Sequence, residues 1–165
     1  KKITTLLDCD YFKMREKINV KYSTIYTGPI DQYFNYKFGI LDWRSVKFKK
    51  TVFNYDDYQG NSVINYPDLK FKYTRIHEPK HLHTERKYLA NKTLVIKEYS
   101  YQDHKNPYYP INNDDNKKLI AAYKELAKKE KKVLFGGRLA DYAYYDMDMT
   151  ISASLVKFES IKKNF

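Results

Sequence analysis

The segment GGRLADYAYYDMD, residues 136–148, gathers a glycine pair, an arginine, three tyrosines and several aspartates at a strand-to-helix junction. Such a junction turns backbone N–H groups and the positive end of a helix toward an anionic or electron-rich ligand. With Asp146 at the helix start, the amides of Met147, Asp148 and Met149 are free donors. Arg138 and Asp146 read either as a structural ion pair or as the two flanks of a ligand. A second group lies upstream. Arg75 stands in FKYTRIH, where alternation puts it on one sheet face with Phe71, Tyr73 and His77. An arginine in such company is either a surface cation stacked on rings or a bidentate clamp for an anion. Asn65, at the end of a neighbouring strand, offers an amide to the same ligand or serves as a turn residue. In NPYYP (106–110) two tyrosines are fixed between prolines, either as a plain rigid loop or as phenols presented at low entropic cost.

Metal chemistry has weaker support. His77, His81 and His83, with Glu78 or Glu85, have loosely suitable spacing, but no HExxH motif and no second cluster completes a site. A solvated histidine-bearing loop is the expectation there, without a metal. GxSxG, GxxxxGK[ST] and a Cys–His nucleophile pattern are all missing.

These groups need a scaffold. Residues 10–18 suit a short helix and 22–27 a strand rich in β-branched and aromatic residues. Gly28-Pro29 ends that strand. Pro29 suits the first position of a helix carrying Ile30, Phe34 and Phe38 every four residues, stopped at Gly39. Strand patterns follow at 44–53, 61–66, 71–77 and 93–99, with Val46, Phe48 and Val52 on one face of the first. Turns separate the first three, which suggests an antiparallel meander. The polar link 78–92 reads as an exposed excursion. Residues 114–130 form the clearest helix, with Leu119, Ala122, Tyr123 and Leu126 as its stripe. Asp114 or Asp115 is its expected cap, and Glu125–Lys129 its i,i+4 pair. VLFGGRL (133–139) reads as a buried strand, and Asp146 caps a last helix with Ile151, Leu155 and Phe158 along one face. The sum is one α+β unit: an antiparallel sheet over 22–110, then helix, strand and helix over 111–165.

Composition narrows the function classes. The chain has 165 residues, 42% of them apolar, enough for one packed core. Its net charge of +11 is spread along the sequence, which fits a solvated lysine surface better than a nucleic-acid face. Part of that charge can also draw in an anionic ligand. Cys9 is the single cysteine, so no internal disulfide forms, in keeping with a reducing compartment. The sequence has no apolar run long enough for a membrane span, and KKITTLLD lacks the apolar stretch of a signal peptide. With no initial Met, the chain reads as an excised fragment or a tagged one. The eighteen tyrosines read mostly as packing or surface, apart from those inside the motifs.

Four segments in order, IYTGPIDQYFNYKFGILDWRSVKF, QGNSVINYPDLKFKYTRIHE, VIKEYS…NPYYPIN and KVLFGGRLADYAYYDMDMTI, resemble the C-terminal part of UDP-galactopyranose mutase. The resemblance runs over roughly 22–155, nearly the whole chain. It implies interconversion of UDP-galactopyranose and UDP-galactofuranose by reduced FAD, whose N5 is the nucleophile. No protein side chain is then a catalytic nucleophile, and the protein positions and stabilises. The resemblance assigns Arg75 to the substrate diphosphate, with Tyr109 and Tyr144 hydrogen-bonding it and Asn65 on the substrate side. It puts Arg138 beside the flavin, and Asp146 with the helix start at Met147, Asp148 and Met149 along the ribityl chain and ring edge. The sheet becomes the substrate side, and the helix–strand–helix returns to a flavin domain. It further implies a cytoplasmic isomerase feeding cell-surface polysaccharide and a possible homodimer; the spread of charge and the lack of an apolar run already speak against nucleic acid and membrane as partners.

The departures matter as much. The five glycines form no GxGxxG, so the FAD pyrophosphate cradle is missing. The helical domain, its mobile loop and its second diphosphate arginine are missing too. The expectation is a chain that alone neither keeps FAD nor turns over. The alternative is a non-catalytic module binding a nucleotide-sugar or an anionic glycan on the same sheet.

Overall fold

A computed structural model describes residues 3–162. The lysines opening KKITTLLD and the last three residues of the 111–165 segment lie outside that range. Asp10 caps a short helix, α1 (Tyr11–Met14), by accepting from the amides of Phe12 and Lys13. The chain then enters β1 (Thr24–Tyr26), turns at Gly28-Pro29 and forms α2 (Ile30–Tyr33).

This second helix is shorter than the sequence pattern implies, and Pro29 is its N-cap rather than its first residue. Asn35 and Tyr36 take left-handed backbone conformations, with φ of 51° and 55°, which no α-helix continues. The apolar spacing still serves its purpose. Phe34 and Phe38 both pack on the Tyr123 ring, with centroids 6.1 and 5.2 Å away.

Five strands make the main sheet: β2 (Trp43–Phe53), β3 (Val63–Asn65), β4 (Arg75–His77), β5 (Thr93–Gln102) and β6 (Tyr109–Pro110). Their order is β3-β4-β5-β2-β6, and every neighbouring pair is antiparallel. The meander therefore runs through β3, β4 and β5, and the expected pairing of β2 with β3 does not occur. Length decides this: the eleven residues of β2 find a full ladder only on the ten of β5. The face of β2 carrying Val46, Phe48 and Val52 stays largely open, with Phe48 44% exposed.

Packed against the 34–42 segment, α3 (Asp114–Ala127) is capped by Asn113, one residue before the expected aspartates; its side chain accepts from the Asn116 amide at 2.8 Å. Glu125 pairs with Lys128 rather than Lys129. The strand β7 (Val133–Phe135) lies parallel to β1, with Thr24, Ile25 and Tyr26 opposite Val133, Leu134 and Phe135. It is half-buried rather than buried. The short helix α4 (Arg138–Asp141) and the long α5 (Met147–Ile161) follow. The expected stripe of α5 does not face the core: Ile151, Leu155 and Phe158 are all more than half exposed.

The core lies where the helices meet the start of β2, and comprises Ile30, Leu41, Trp43, Tyr123 and Tyr142. Its tyrosine hydroxyls are satisfied. The Tyr123 hydroxyl donates to the Gly39 carbonyl at 2.7 Å and accepts from the Phe38 amide at 3.1 Å. The Tyr142 hydroxyl donates to the Asp42 carbonyl and accepts from the Ile111 amide at 3.0 Å. Burial raises the Asp31 carboxyl above its ordinary range, against the amides of Leu41 and Gln32 that it accepts at 2.9 Å.

The link 78–92 is not exposed throughout, because it opens on a fully buried carboxylate. Glu78 accepts from the amides of Tyr58 and Gln59 at 3.0 and 2.9 Å, and from Thr93 Oγ1 at 2.5 Å. This carboxylate anchors the 56–61 loop. In Glu78→Gln an amide N–H₂ would face those backbone donors. We expect a loss of about 2–3 kcal/mol, the usual cost of a buried group left unmatched. A thermal melt and amide exchange at Tyr58 and Gln59 check this; unchanged exchange there would contradict the anchoring role.

Candidate functional site

Strand register sorts the predicted residues onto one face. Asn65 stands opposite Arg75, Arg75 opposite Glu98, and Glu98 opposite Phe48. Four residues back along β2, Arg44 stands opposite Tyr109 of β6. Directly opposed residues share a face, and every second residue along a strand returns to it. Asn65, Arg75, Glu98, Phe48, Arg44 and Tyr109 therefore all project from the same side.

Arg75 and Asn65 are brought together. Arg75 Nε donates to Asn65 Oδ1 at 2.8 Å, and Nη1 lies 3.7 Å from Glu98 Oε2. The guanidinium thus has one edge held by protein, and 40% of the side chain remains exposed. That geometry suits a fork offered to an anion. Phe71 and Tyr73 do not surround it as alternation implies. They cluster instead with Tyr66, and Lys97 Nζ sits 4.7 Å from the Tyr73 ring centroid.

A second group assembles where β6 meets the C-terminal segment. Tyr109 and Tyr144 stack with centroids 5.7 Å apart and an interplanar angle of 23°. They line a cavity of about 260 Å³ with Tyr108, Arg138, Tyr145 and Asp146. Arg138 forms no pair with Asp146 here. Its guanidinium donates to the carbonyls of Tyr108 and Pro107, tying the NPYYP turn to α4. Arg138 and Asp146 both line this cavity instead. The fork of Arg75 and the tyrosine stack share the face, but β5 and β2 lie between their strands.

The helix start is open. Asp146 holds the N-cap position of α5 without any side-chain hydrogen bond to the first turn. The amides of Met147, Asp148 and Met149 are thus not taken by the cap residue. The glycine pair before α4 is explained within the chain. Gly137 has φ of 87°, and a Cβ on Gly136 would lie 3.2 Å from Lys157 Cδ. Lys157 in turn donates to the Phe135 carbonyl. The cavity lined by Tyr144, Tyr145 and Asp146 adjoins the start of α5, so hydrogen-bond donors and acceptors stand together there, as a ligand rich in hydroxyls and ring nitrogens needs.

The three histidines of the metal test do not converge. His77 Nε2 meets Glu98 at 3.0 Å, His83 Nδ1 meets Glu85 at 3.0 Å, and His81 Nε2 lies 3.2 Å from Asp57. Asp57, Glu78 and His81 do bring ligand atoms within 4.8 Å of one another. Both Glu78 oxygens already accept from Tyr58, Gln59 and Thr93.

Sequence reasoning missed Glu98 and Arg44. Alternation along 93–99 and 44–53 puts both on the open face, but only the register shows which residues they oppose. No helix among the described residues is long and apolar enough to cross a membrane.

The chain is thus a mixed α/β protein with an arginine- and tyrosine-bearing face on an antiparallel sheet. The model of the UDP-galactopyranose mutase family matches residues 1–144. The chain belongs to that family. It is 40% identical over 137 residues to a probable UDP-galactopyranose mutase of Klebsiella pneumoniae, covering 79% of this chain and 34% of that protein. It is 39% identical over 143 residues to the UDP-galactopyranose mutase of Mycoplasma genitalium, covering 83% of this chain and 35% of that protein. A dTDP-fucopyranose mutase of Escherichia coli is 35% identical over 132 residues, 79% of this chain and 34% of its own length. The chain spans about a third of the length of the curated relatives it matches.

Proposed function

We propose that this chain is the C-terminal, substrate-binding third of a UDP-galactopyranose mutase. The complete enzyme interconverts UDP-galactopyranose and UDP-galactofuranose. The observation that carries this reading is the convergence of Tyr109, Tyr144, Arg138 and Asp146 on one cavity, on the sheet face that also bears Arg75 and Asn65. Arg75 takes the diphosphate in a fork, and the phenols of Tyr109 and Tyr144 hydrogen-bond its oxygens. Asn65 keeps Arg75 aimed by accepting from Nε. Arg138, Asp146 and the amides of Met147, Asp148 and Met149 would hold FAD. Reduced FAD, when bound, supplies the nucleophile toward the anomeric carbon. The protein's contribution is then orientation and charge stabilisation, and no side chain acts as nucleophile.

The cradle for the FAD pyrophosphate is not among these residues, so the chain alone should not retain the cofactor. The purified chain should show no flavin absorbance, even after FAD is added. Isomerisation of UDP-galactose should appear when FAD, a reductant and the remaining two thirds of a relative are supplied in trans. Stoichiometric flavin on the isolated chain would contradict the first expectation. Failure of a folded mixture to turn over would favour the non-catalytic binding module.

A further inference from the structure

A carboxylate stands beside the proposed clamp, and the reading above gives it no task. Glu98 is buried, at 8% exposed. Its Oε2 lies 3.7 Å from Arg75 Nη1 and 3.0 Å from His77 Nε2, and Thr74 Oγ1 donates to Oε1 at 3.4 Å. Strand register sets it in the row of Asn65 and Arg75, so its charge acts on the ligand face.

Two effects of that charge oppose each other. Glu98 helps to orient Arg75, which would favour binding. But Arg75 is already fixed at Nε by Asn65 at 2.8 Å, while 3.7 Å to Glu98 is too long for a hydrogen bond. The orienting share of Glu98 is therefore small. Its field on an arriving diphosphate is not small, because a charge buried within a few ångströms of the ligand is weakly screened. Repulsion wins.

We infer that Glu98 attenuates the affinity of the Arg75 clamp for diphosphate esters, poising the site for release rather than for the tightest grip. The inference rests on the reading of Arg75 as a diphosphate clamp. It also gives the carboxylate a kinetic sense: binding a substrate tightly without extra hold on the transition state does not speed turnover.

The experiment measures calorimetric affinity of UDP-galactose and of inorganic pyrophosphate for the wild-type chain and for Glu98→Gln, with the Arg75 Nε–H resonance reporting where they bind. The expected result is about fivefold tighter binding of both by Glu98→Gln, with the gap little changed as salt is added, because the buried charge is weakly screened. A merely structural role for Glu98 would weaken binding or leave it unchanged, and either result overturns the inference. If UDP-galactose fails to bind but pyrophosphate reaches Arg75 and tightens in the variant, the inference stands and the substrate reading fails. If UDP-galactose binds the wild type without tightening in the variant, the reading stands and the inference falls. Pyrophosphate binding to neither protein also overturns the inference. Should Glu98→Gln not fold, Glu98→Asp draws the charge back by one methylene and should tighten binding about twofold; equal or weaker binding overturns the inference.

Discussion

Arg75→Ala should abolish measurable binding of UDP by this chain. Charge-assisted forks are the strongest hydrogen bonds a protein offers to phosphate, and removing one side of such a contact costs about 2–5 kcal/mol. Taking about 3 kcal/mol, affinity falls by about a hundredfold. The fold should survive, because the side chain is 40% exposed and its single direct hydrogen bond goes to Asn65, itself exposed. Asn65→Ala should weaken binding less, about fivefold, since it acts by aiming Arg75 at Nε. Titration calorimetry at fixed salt checks both. Equal UDP affinity in wild type and Arg75→Ala would mean that the ligand, if bound, sits elsewhere on the chain. Salt should weaken binding only modestly, in contrast to a nucleic-acid binder whose many phosphate contacts give a steep salt slope.

Trp43→Ala should nearly unfold the chain. Trp43 is 1% exposed and meets the Tyr142 ring edge-on at 4.9 Å. Large aromatic-to-alanine changes in a core cost about 3–5 kcal/mol, through lost burial and the cavity left behind. That is a large part of the roughly 5–15 kcal/mol that holds a domain together. The damage should also reach the site. Trp43 and Arg44 are the residues on which Pro110 and Tyr109 pair, so a loosened Trp43 frees Tyr109 from its stack with Tyr144. The urea midpoint of Trp43→Ala against wild type reads the first effect. A loss below about 1 kcal/mol would contradict the assignment of Trp43 to the core.

The placement of several candidate residues was legible because they sit in short stretches with strict local geometry. Arg75 and Asn65 fall on strands whose alternation is visible, and the hydrogen bond between them follows from their being opposite. Asp146 falls at a helix start that its residue type announces. What escaped the sequence depends on partners far away in the chain. The placement of β2 beside β5 joins residues as close as Phe53 and Thr93 and as far apart as Arg44 and Gln102, and no local pattern encodes which strand is chosen. Glu98 looked like an ordinary strand residue until Arg75 and His77 were seen to meet on it. The partners of Arg138 escaped it for the same reason, since those carbonyls lie some thirty residues upstream. The expected apolar stripe of α5 followed helical spacing correctly, but spacing cannot say whether a face has anything to pack against.

The pairing of β1 with β7 has a further consequence. Residues 24–26 and 133–135 run side by side and in the same direction, so the chain leaves one layer and comes back to it next to where it left. Everything between them, the five-stranded sheet and α3 included, is an excursion with adjacent ends. Segments with adjacent ends are the ones that tolerate insertion into, or removal from, a host. The sheet is in that sense a portable cassette. Its seam with the host layer is the packing of Trp43 on Tyr142 and the bonds from Arg138 to Pro107 and Tyr108, and these are what an exchange would have to keep.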